Sequence, residues 1–132
     1  MPPGLLLDTH VLHWWWCSPA RLSRRVRERL RDGDQAVVVS AASWLELGVA
    51  LQLPDGGVAE LLRRFPESLA EDGFSFLPLQ LPHLQRAARL QTPSNGMAGW
   101  IDRLLVAQAQ QEGLQLISLD PALEALGEPL LW

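Results

Sequence analysis

The sequence contains no lysine: all eleven basic residues among its 132 are arginine. All fixed positive charge is therefore guanidinium, a planar group suited to paired contacts with carboxylate or phosphate. The formal net charge of −4 argues against general affinity for nucleic acid. Cysteine is nearly absent too. The single Cys17 excludes an internal disulfide and suits a reducing cytoplasm, where the chain is expected to reside. Cys17 itself reads as a small buried apolar residue rather than a nucleophile. No apolar stretch approaches the roughly 20 residues of a membrane span. The first apolar run, Leu5 to Leu7, stops at Asp8 with no basic segment ahead of it, so no secretory signal is expected. His10, His13 and His83 lack the H-x-x-x-H spacing of a histidine metal site. Repeats, linkers and low-complexity segments are missing as well. A single domain over residues 1–132, long enough to bury a core, is the expectation. The hydrophobic fraction of 48% and charged fraction of 20% are ordinary for such a domain.

What is present is an alternation of short apolar runs with helical segments. Gly4 to Asp8 reads as a short buried strand ending in an acid, and Thr9 to Cys17 as a helix broken by Ser18-Pro19. Ser23 can cap a helix running to about Asp32, with Gly33 ending it. The β-branched run Ala36 to Val39 predicts a second strand. Helices follow over Ser40 to about Leu51 and over Val58 to Ala70, the latter bent or broken at Pro66. Phe74 to Leu77 predicts a third strand. Pro82 to Leu90 predicts a helix with proline in its first turn. Thr92 to Gly99 reads as a loop, Trp100 to Glu112 as a strong helix ended by Gly113, and Leu114 to Ile117 as a fourth strand. A short helix from Pro121 and a last strand at Leu130-Leu131 close the chain. Strands alternating with helices imply an α/β fold around a parallel sheet.

Four acids stand at the junctions of these elements: Asp8, Glu46, Asp102 and Asp120. Each has a local explanation. Asp8 can cap the helix after the first strand. Ser43-x-x-Glu46 matches a capping box. Asp102, in the first turn of its helix, suits the macrodipole. Asp120-Pro121 is an N-cap followed by proline. Together they suggest more. Asp8, Glu46 and Asp120 each follow a predicted strand closely, and parallel strands end on one edge, where ligands of such folds bind. Like charges drawn together there raise one another's pKa. A hard divalent cation such as Mg²⁺ or Mn²⁺ relieves that repulsion.

At these residues the chain resembles the PIN-domain family, and within it the VapC-type toxins of toxin–antitoxin modules. Leu5-Leu-Leu-Asp8-Thr9-His10-Val-Leu-His-Trp14 is similar to the family's LLDTHxLLW opening. Val39-Ser-Ala-Ala-Ser43-Trp-Leu-Glu46-Leu47 resembles its S-x-x-S-x-x-E-(I/L) segment. Ile101-Asp102-Arg103-Leu-Leu-Val-Ala-Gln108-Ala109 resembles FDRxLxAQA, and Leu116-Ile-Ser-Leu-Asp120 resembles L-(I/V)-(T/S)-x-D. Leu131-Trp132 is similar to the usual ending. The resemblance implies a three-layer α/β/α sandwich with a central parallel sheet. It also implies a Mg²⁺- or Mn²⁺-dependent endoribonuclease acting on RNA, with a small antitoxin as partner and a homodimer as assembly. By position, Asp8, Glu46, Asp102 and Asp120 become the catalytic and metal-binding acids. Thr9 and Ser43 become hydroxyls that orient a carboxylate or a water, or else helix caps.

The chain departs from the family where relatives read H-x-D-P-F-D-R. Here the stretch is Met97-Ala-Gly-Trp-Ile-Asp-Arg103, so Met97 replaces the histidine and Gly99 the first aspartate. A lysine common shortly after the glutamate is absent too. An alternative is therefore a catalytically impaired PIN-like module that binds RNA or an antitoxin without cleaving. A phosphatase of the D-x-D type is disfavoured, because Thr9-His10 follows Asp8. Three further features stay open. Trp14, Trp15 and Trp16 fan across about 200° of a helix and cannot all face one core stripe. Arg103 either pairs with an acid or approaches a phosphate, and Gln108 reads as a buried structural hydrogen-bonder. Five arginines between Arg24 and Arg31 form either a solvated helix face or a phosphate-tracking one.

Overall fold

The structure, a computed structural model, describes residues 3–50, 56–90 and 97–132. Five strands form its parallel sheet: β1 (Leu5–Leu7), β2 (Val37–Ser40), β3 (Ser75–Leu77), β4 (Gln115–Ile117) and β5 (Leu130–Leu131). Their order is β3-β2-β1-β4-β5, with every neighbouring pair parallel. The helices are α1 (Thr9–Cys17), α2 (Arg24–Arg31), α3 (Ala41–Ala50), α4 (Gly56–Arg63), α5 (Glu67–Ala70), α6 (Leu81–Arg89), α7 (Met97–Glu112) and α8 (Pro121–Glu124).

The run Leu5-Leu6-Leu7 is apolar throughout because both faces of β1 are covered. Side chains alternate along a strand. Leu5 and Leu7 join Val37, Val39 and Ile117 against α1 and α2, through Val11, Leu12, Val26 and Leu30. Leu6 and Leu116 turn to the other face, against Ile101, Leu105, Val106 and Ala109 of α7. The result is the expected three-layer α/β/α arrangement. Among the described residues no helix is long and apolar enough to cross a membrane.

Local signals account for most element boundaries. Ser23 Oγ accepts from the Val26 amide at 3.1 Å and caps α2. Gly113, at φ +65°, closes α7 in a Schellman turn in which the Leu114 amide donates to the Ala109 carbonyl at 2.8 Å. Pro66 separates α4 from α5. Some expectations differ. α7 begins at Met97, so Met97 to Gly99 are helical rather than loop; the expected loop from Thr92 to residue 96, like Leu51, lies outside the described residues. Gly33 does not end α2 through a left-handed conformation. The helix ends at Asp32, which is extended and whose carboxylate accepts from the Asp34 amide at 2.9 Å. Cys17 is exposed rather than buried, because it is the last residue of α1 while Val11 and Leu12 carry that helix's buried face.

Candidate active site

The strand order fixes where a site can form. Chain order runs outward from β1 through β2 to β3 on one side, and from β4 to β5 on the other. The direction of winding thus reverses between β1 and β4, the switch point at which α/β sheets open a crevice beyond their strand ends. Asp8 directly follows β1, and Asp120 lies just beyond β4. They flank that switch point. Between them opens a cleft of about 280 Å³ lined by Asp8, His10, Val11, Trp14, Leu119 and Asp120.

Ser118 connects the two acids. Its hydroxyl donates to Asp8 Oδ2 at 2.8 Å and accepts from the Asp120 amide at 2.9 Å. The serine is buried, and Asp8 is only 5% exposed. Asp8 occupies the N-cap position of α1 without capping it through its side chain. The expectation of a simple cap therefore fails at Asp8. It holds at Asp120, whose Oδ1 accepts from the Ala122 amide at 2.9 Å.

Glu46 and Asp102 reach the same edge from helices. The capping-box expectation for Ser43 and Glu46 fails, because α3 starts at Ala41 and the buried Ser40 Oγ takes the Ala42 amide instead. Ser43, inside the helix, accepts from Thr9 Oγ1 at 3.0 Å. Thr9 and Ser43 are buried, so this bond ties the start of α1 to α3 one turn before Glu46. Asp102 lies in the second turn of α7 rather than the first, because the helix begins earlier than the sequence suggested. The dipole explanation loses force there, since that effect fades beyond the first turn.

Electrostatics bring the four together. Burial, and then the charges of Asp120, Asp8 and Glu46, push Asp102 up to about 7 from 3.8. Burial also raises Asp8, against the opposing pull of the Ser118 hydroxyl, His10 and the Thr9 amide, with Glu46 adding to the rise. Two carboxyl groups on one edge thus hold their protons more tightly than an isolated aspartate. The neighbouring His10 opposes the rise at both. Among the described residues, no three aspartate, glutamate, histidine or cysteine side chains stand close enough to hold a metal ion as placed. The acids are gathered within electrostatic reach without being closed to ligating distance.

Three further residues bear on the site. Ser118 fills the (T/S) position of the L-(I/V)-(T/S)-x-D pattern, and its spacing two residues before Asp120 is its one signal in the sequence. His10 and Trp14 line the cleft, their rings 6.1 Å apart. Trp14 also meets Trp132 edge-on at 6.1 Å, while Trp15 packs on Phe74. All three consecutive tryptophans are partly buried against the core. The arginines of α2 are largely committed elsewhere. Arg24 pairs with Glu28, Arg29 with Gln35, and Arg31 lies over Trp15. Gln108 is fully buried, as expected of a structural hydrogen-bonder.

The PIN domain family matches residues 5–129 of the chain. Ribonuclease VapC22 of Mycobacterium tuberculosis strain H37Rv is 29% identical over 132 residues, spanning 95% of this chain and 93% of the relative. Among solved structures, FitAB bound to an IR36 DNA fragment superposes with a TM-score of 0.64 at 24% identity, over 96% of this chain and 93% of that one. FitAcB from Neisseria gonorrhoeae gives a TM-score of 0.64 at 25% identity, over 97% and 96%.

Proposed function

This chain belongs to the PIN domain family, and from that premise we propose that it is a divalent-metal-dependent endoribonuclease, the toxin of a toxin–antitoxin pair. The observation that carries the reading is the gathering of Asp8, Glu46, Asp102 and Asp120 at the switch-point edge, with Asp102 pushed up to about 7 by burial and by its acidic neighbours. The ribonuclease named VapC22, similar over nearly the whole chain, supports the same chemistry.

The donor set suits Mg²⁺ or Mn²⁺, hard ions that take carboxylate oxygens and relieve exactly such uncompensated negative charge. Asp8 and Asp120 would be the principal ligands, with Glu46 and Asp102 completing the site. When bound, the ion acidifies a water and neutralises charge on a phosphate. The chain's own residues do the rest. Ser118 holds Asp8 in a fixed rotamer and ties it to the Asp120 backbone. The Thr9–Ser43 bond fixes the helix that carries Glu46. Burial and its acidic neighbours push Asp102 up to about 7, so a cation held beside it would compete with its proton. His10 lines the cleft between Asp8 and Asp120.

The partners follow from the same surface. RNA is the substrate, and a small antitoxin with a basic side chain complements the acidic cleft. A homodimer would cover exposed apolar residues such as Trp44, Leu45 and Val49. The test is cleavage of RNA with Mn²⁺ by wild type and by Asp8→Ala. Wild type should cut and the variant should not; equal cleavage by both removes the proposed site.

One observation favours a second reading. Gly99 is buried in α7 at the position where relatives carry an aspartate, so the site has one acid fewer. A PIN-like module that binds RNA or an antitoxin without cutting would show no heat on titration with millimolar Mn²⁺ while staying folded.

A further inference from the structure

We propose that Arg21, seated on Trp14, binds the phosphate of single-stranded RNA next to the scissile one and so leads the strand into the acidic cleft; the idea rests on the ribonuclease reading above. The end of α1 brings the pair together. Ser18-Pro19 breaks the helix, and the Ser18 amide turns back to donate to the Trp14 carbonyl at 2.7 Å. A 3₁₀ turn, Pro19–Arg21, follows. In it the Arg21 amide donates to the Ser18 carbonyl at 2.9 Å, and the Leu22 amide to the Pro19 carbonyl at 3.0 Å. Arg27 of α2 donates to the same Pro19 carbonyl at 3.4 Å. The reversal carries Arg21 back over α1, with its Cζ 4.8 Å from the centroid of the Trp14 ring. A guanidinium over an indole face is attracted by the ring's quadrupole and keeps its N–H groups for another partner.

Trp14 ties this guanidinium to the site. His10 and Trp14 share a face of α1 at the i, i+4 spacing, with Val11 beside them. All three line the cleft between Asp8 and Asp120. Trp14 is itself wedged edge-on against Trp132 and beside His10, each at 6.1 Å. Arg21 is exposed, and among the described residues no salt bridge includes it. Nor is its charge felt at Asp8 or Asp102, where His10 supplies the opposing pull. The guanidinium is therefore uncommitted and stands off from the acids, held on a residue of the cleft wall. Gathered carboxylates repel a polyanion, and exposed charges more than about 8 Å away are screened at physiological salt. A strand entering the cleft thus needs a cation nearby. Trp14 lies about 9 Å along α1 from Asp8, at about 1.5 Å per residue. That offset suits a flanking phosphate rather than the one under attack, and a guanidinium can grip it through paired N–H groups. A cleft of about 280 Å³ admits one strand and not a duplex.

The test measures binding without cleavage. Labelled single-stranded RNA is titrated by fluorescence anisotropy onto the Asp8→Asn protein, at salt from about 0.1 M to about 1 M. Each phosphate contact on a single strand contributes about 0.7 to the slope of log affinity against log salt. Adding Arg21→Gln should lower the slope by about that much, so its deficit should grow about 5-fold from the highest salt to the lowest. Arg21→Lys keeps the charge and should keep the slope. Arg25→Gln, on the exposed face of α2, should change neither affinity nor slope. Trp14→Phe, with a ring still beneath the guanidinium, should keep most of the affinity, whereas Trp14→Leu should lose most of what Arg21→Gln loses. One uncharged methylphosphonate linkage, walked along the RNA, should at a single position weaken the parent and leave Arg21→Gln unaffected. An unchanged slope in Arg21→Gln overturns the proposal. So does an equal loss from Arg25→Gln, or a methylphosphonate effect that is the same in both proteins at every position. Failure of the wild type to cleave RNA with Mn²⁺ would sink the nuclease reading while leaving these titrations interpretable. In the cleaving protein Arg21→Gln should raise KM and spare kcat, since the contact lies off the reacting atoms; a fall in kcat with KM unchanged would overturn the flanking position.

Discussion

Ser118 shows how one hydroxyl can set the geometry of two acids. It donates a hydrogen bond to Asp8 Oδ2 and accepts one from the Asp120 amide, so its deletion frees both ends of the switch-point pair. Groups that orient a metal's ligands are typically worth about 10- to 100-fold in affinity or activity. Ser118→Ala should therefore weaken Mn²⁺ binding, read by calorimetry, and RNA cleavage by that range, while Ser118→Thr keeps most of both. A full-strength alanine variant would place the orienting role elsewhere. Asp102 offers a second prediction at this scale. In the unfolded chain it loses its proton near 3.8, and in the folded protein near 7. Between those values the folded state binds more protons, so metal-free stability falls as pH rises through that window. Burial raises Asp8 in the same direction. Urea midpoints without metal should drop from about pH 4 to about pH 7, and Asp102→Asn should flatten much of that slope. A profile unchanged by the substitution would mean that Asp102 is not held up by its neighbours.

α7 is where sequence and structure part company most. Gly99 and Trp100 follow a stretch rich in Pro, Ser, Asn and Gly, which reads as a loop, yet α7 already runs from Met97. Burial of Gly99 and Ile101 against the other layer outweighs weak local propensity there. The shift moved Asp102 into the second turn and removed its dipole explanation. The same override moved the cap of α3 from Ser43 to Ser40, since a buried hydroxyl at the strand end was the nearer acceptor. Ser40 has a second duty. It donates to Gln108 of α7, whose amide nitrogen donates to the Pro78 carbonyl at 3.2 Å and lies 3.4 Å from His83 Nδ1. The Gln80 amide also donates to that Nδ1, so the ring proton sits on Nε2, which donates to Glu112 at 2.8 Å. This chain of bonds clamps α6, α7 and β2 together, a contact between distant segments that no spacing in the sequence disclosed. Gln108→Leu leaves Ser40 Oγ without its acceptor in a buried place. The loss should be about 1–3 kcal/mol in urea unfolding, and a value near zero would mean that the glutamine is dispensable to the clamp.

At the scale of the whole molecule, the legible part was the order of elements. Apolar runs covered on both faces, each followed by a helix, dictate a parallel sheet, and all five strands fell where apolar periodicity put them. Strand order was not legible, because pairing depends on which helices cross which face. It is this order that places Asp8 and Asp120 on either side of the switch point and makes one edge of a protein of net charge −4 sharply acidic. Concentrated repulsion of that kind opposes folding, and a cation held there should oppose unfolding. A ligand at 100 times its dissociation constant adds about 2.7 kcal/mol to stability. For a chain of this size that corresponds to a rise in Tm of about 10 °C. At pH 8 Mn²⁺ should therefore raise Tm by that order, with NaCl at matched ionic strength giving little and EDTA restoring the starting value. At pH 5 the gain should shrink, since Asp102 then keeps its proton and competes with the ion. Asp120→Asn should lose most of the gain at pH 8, because it removes one of the two acids that flank the switch point. If Mn²⁺ instead stabilised that variant as much as wild type, the ion would be binding away from this edge, and the acidic cluster would need another explanation.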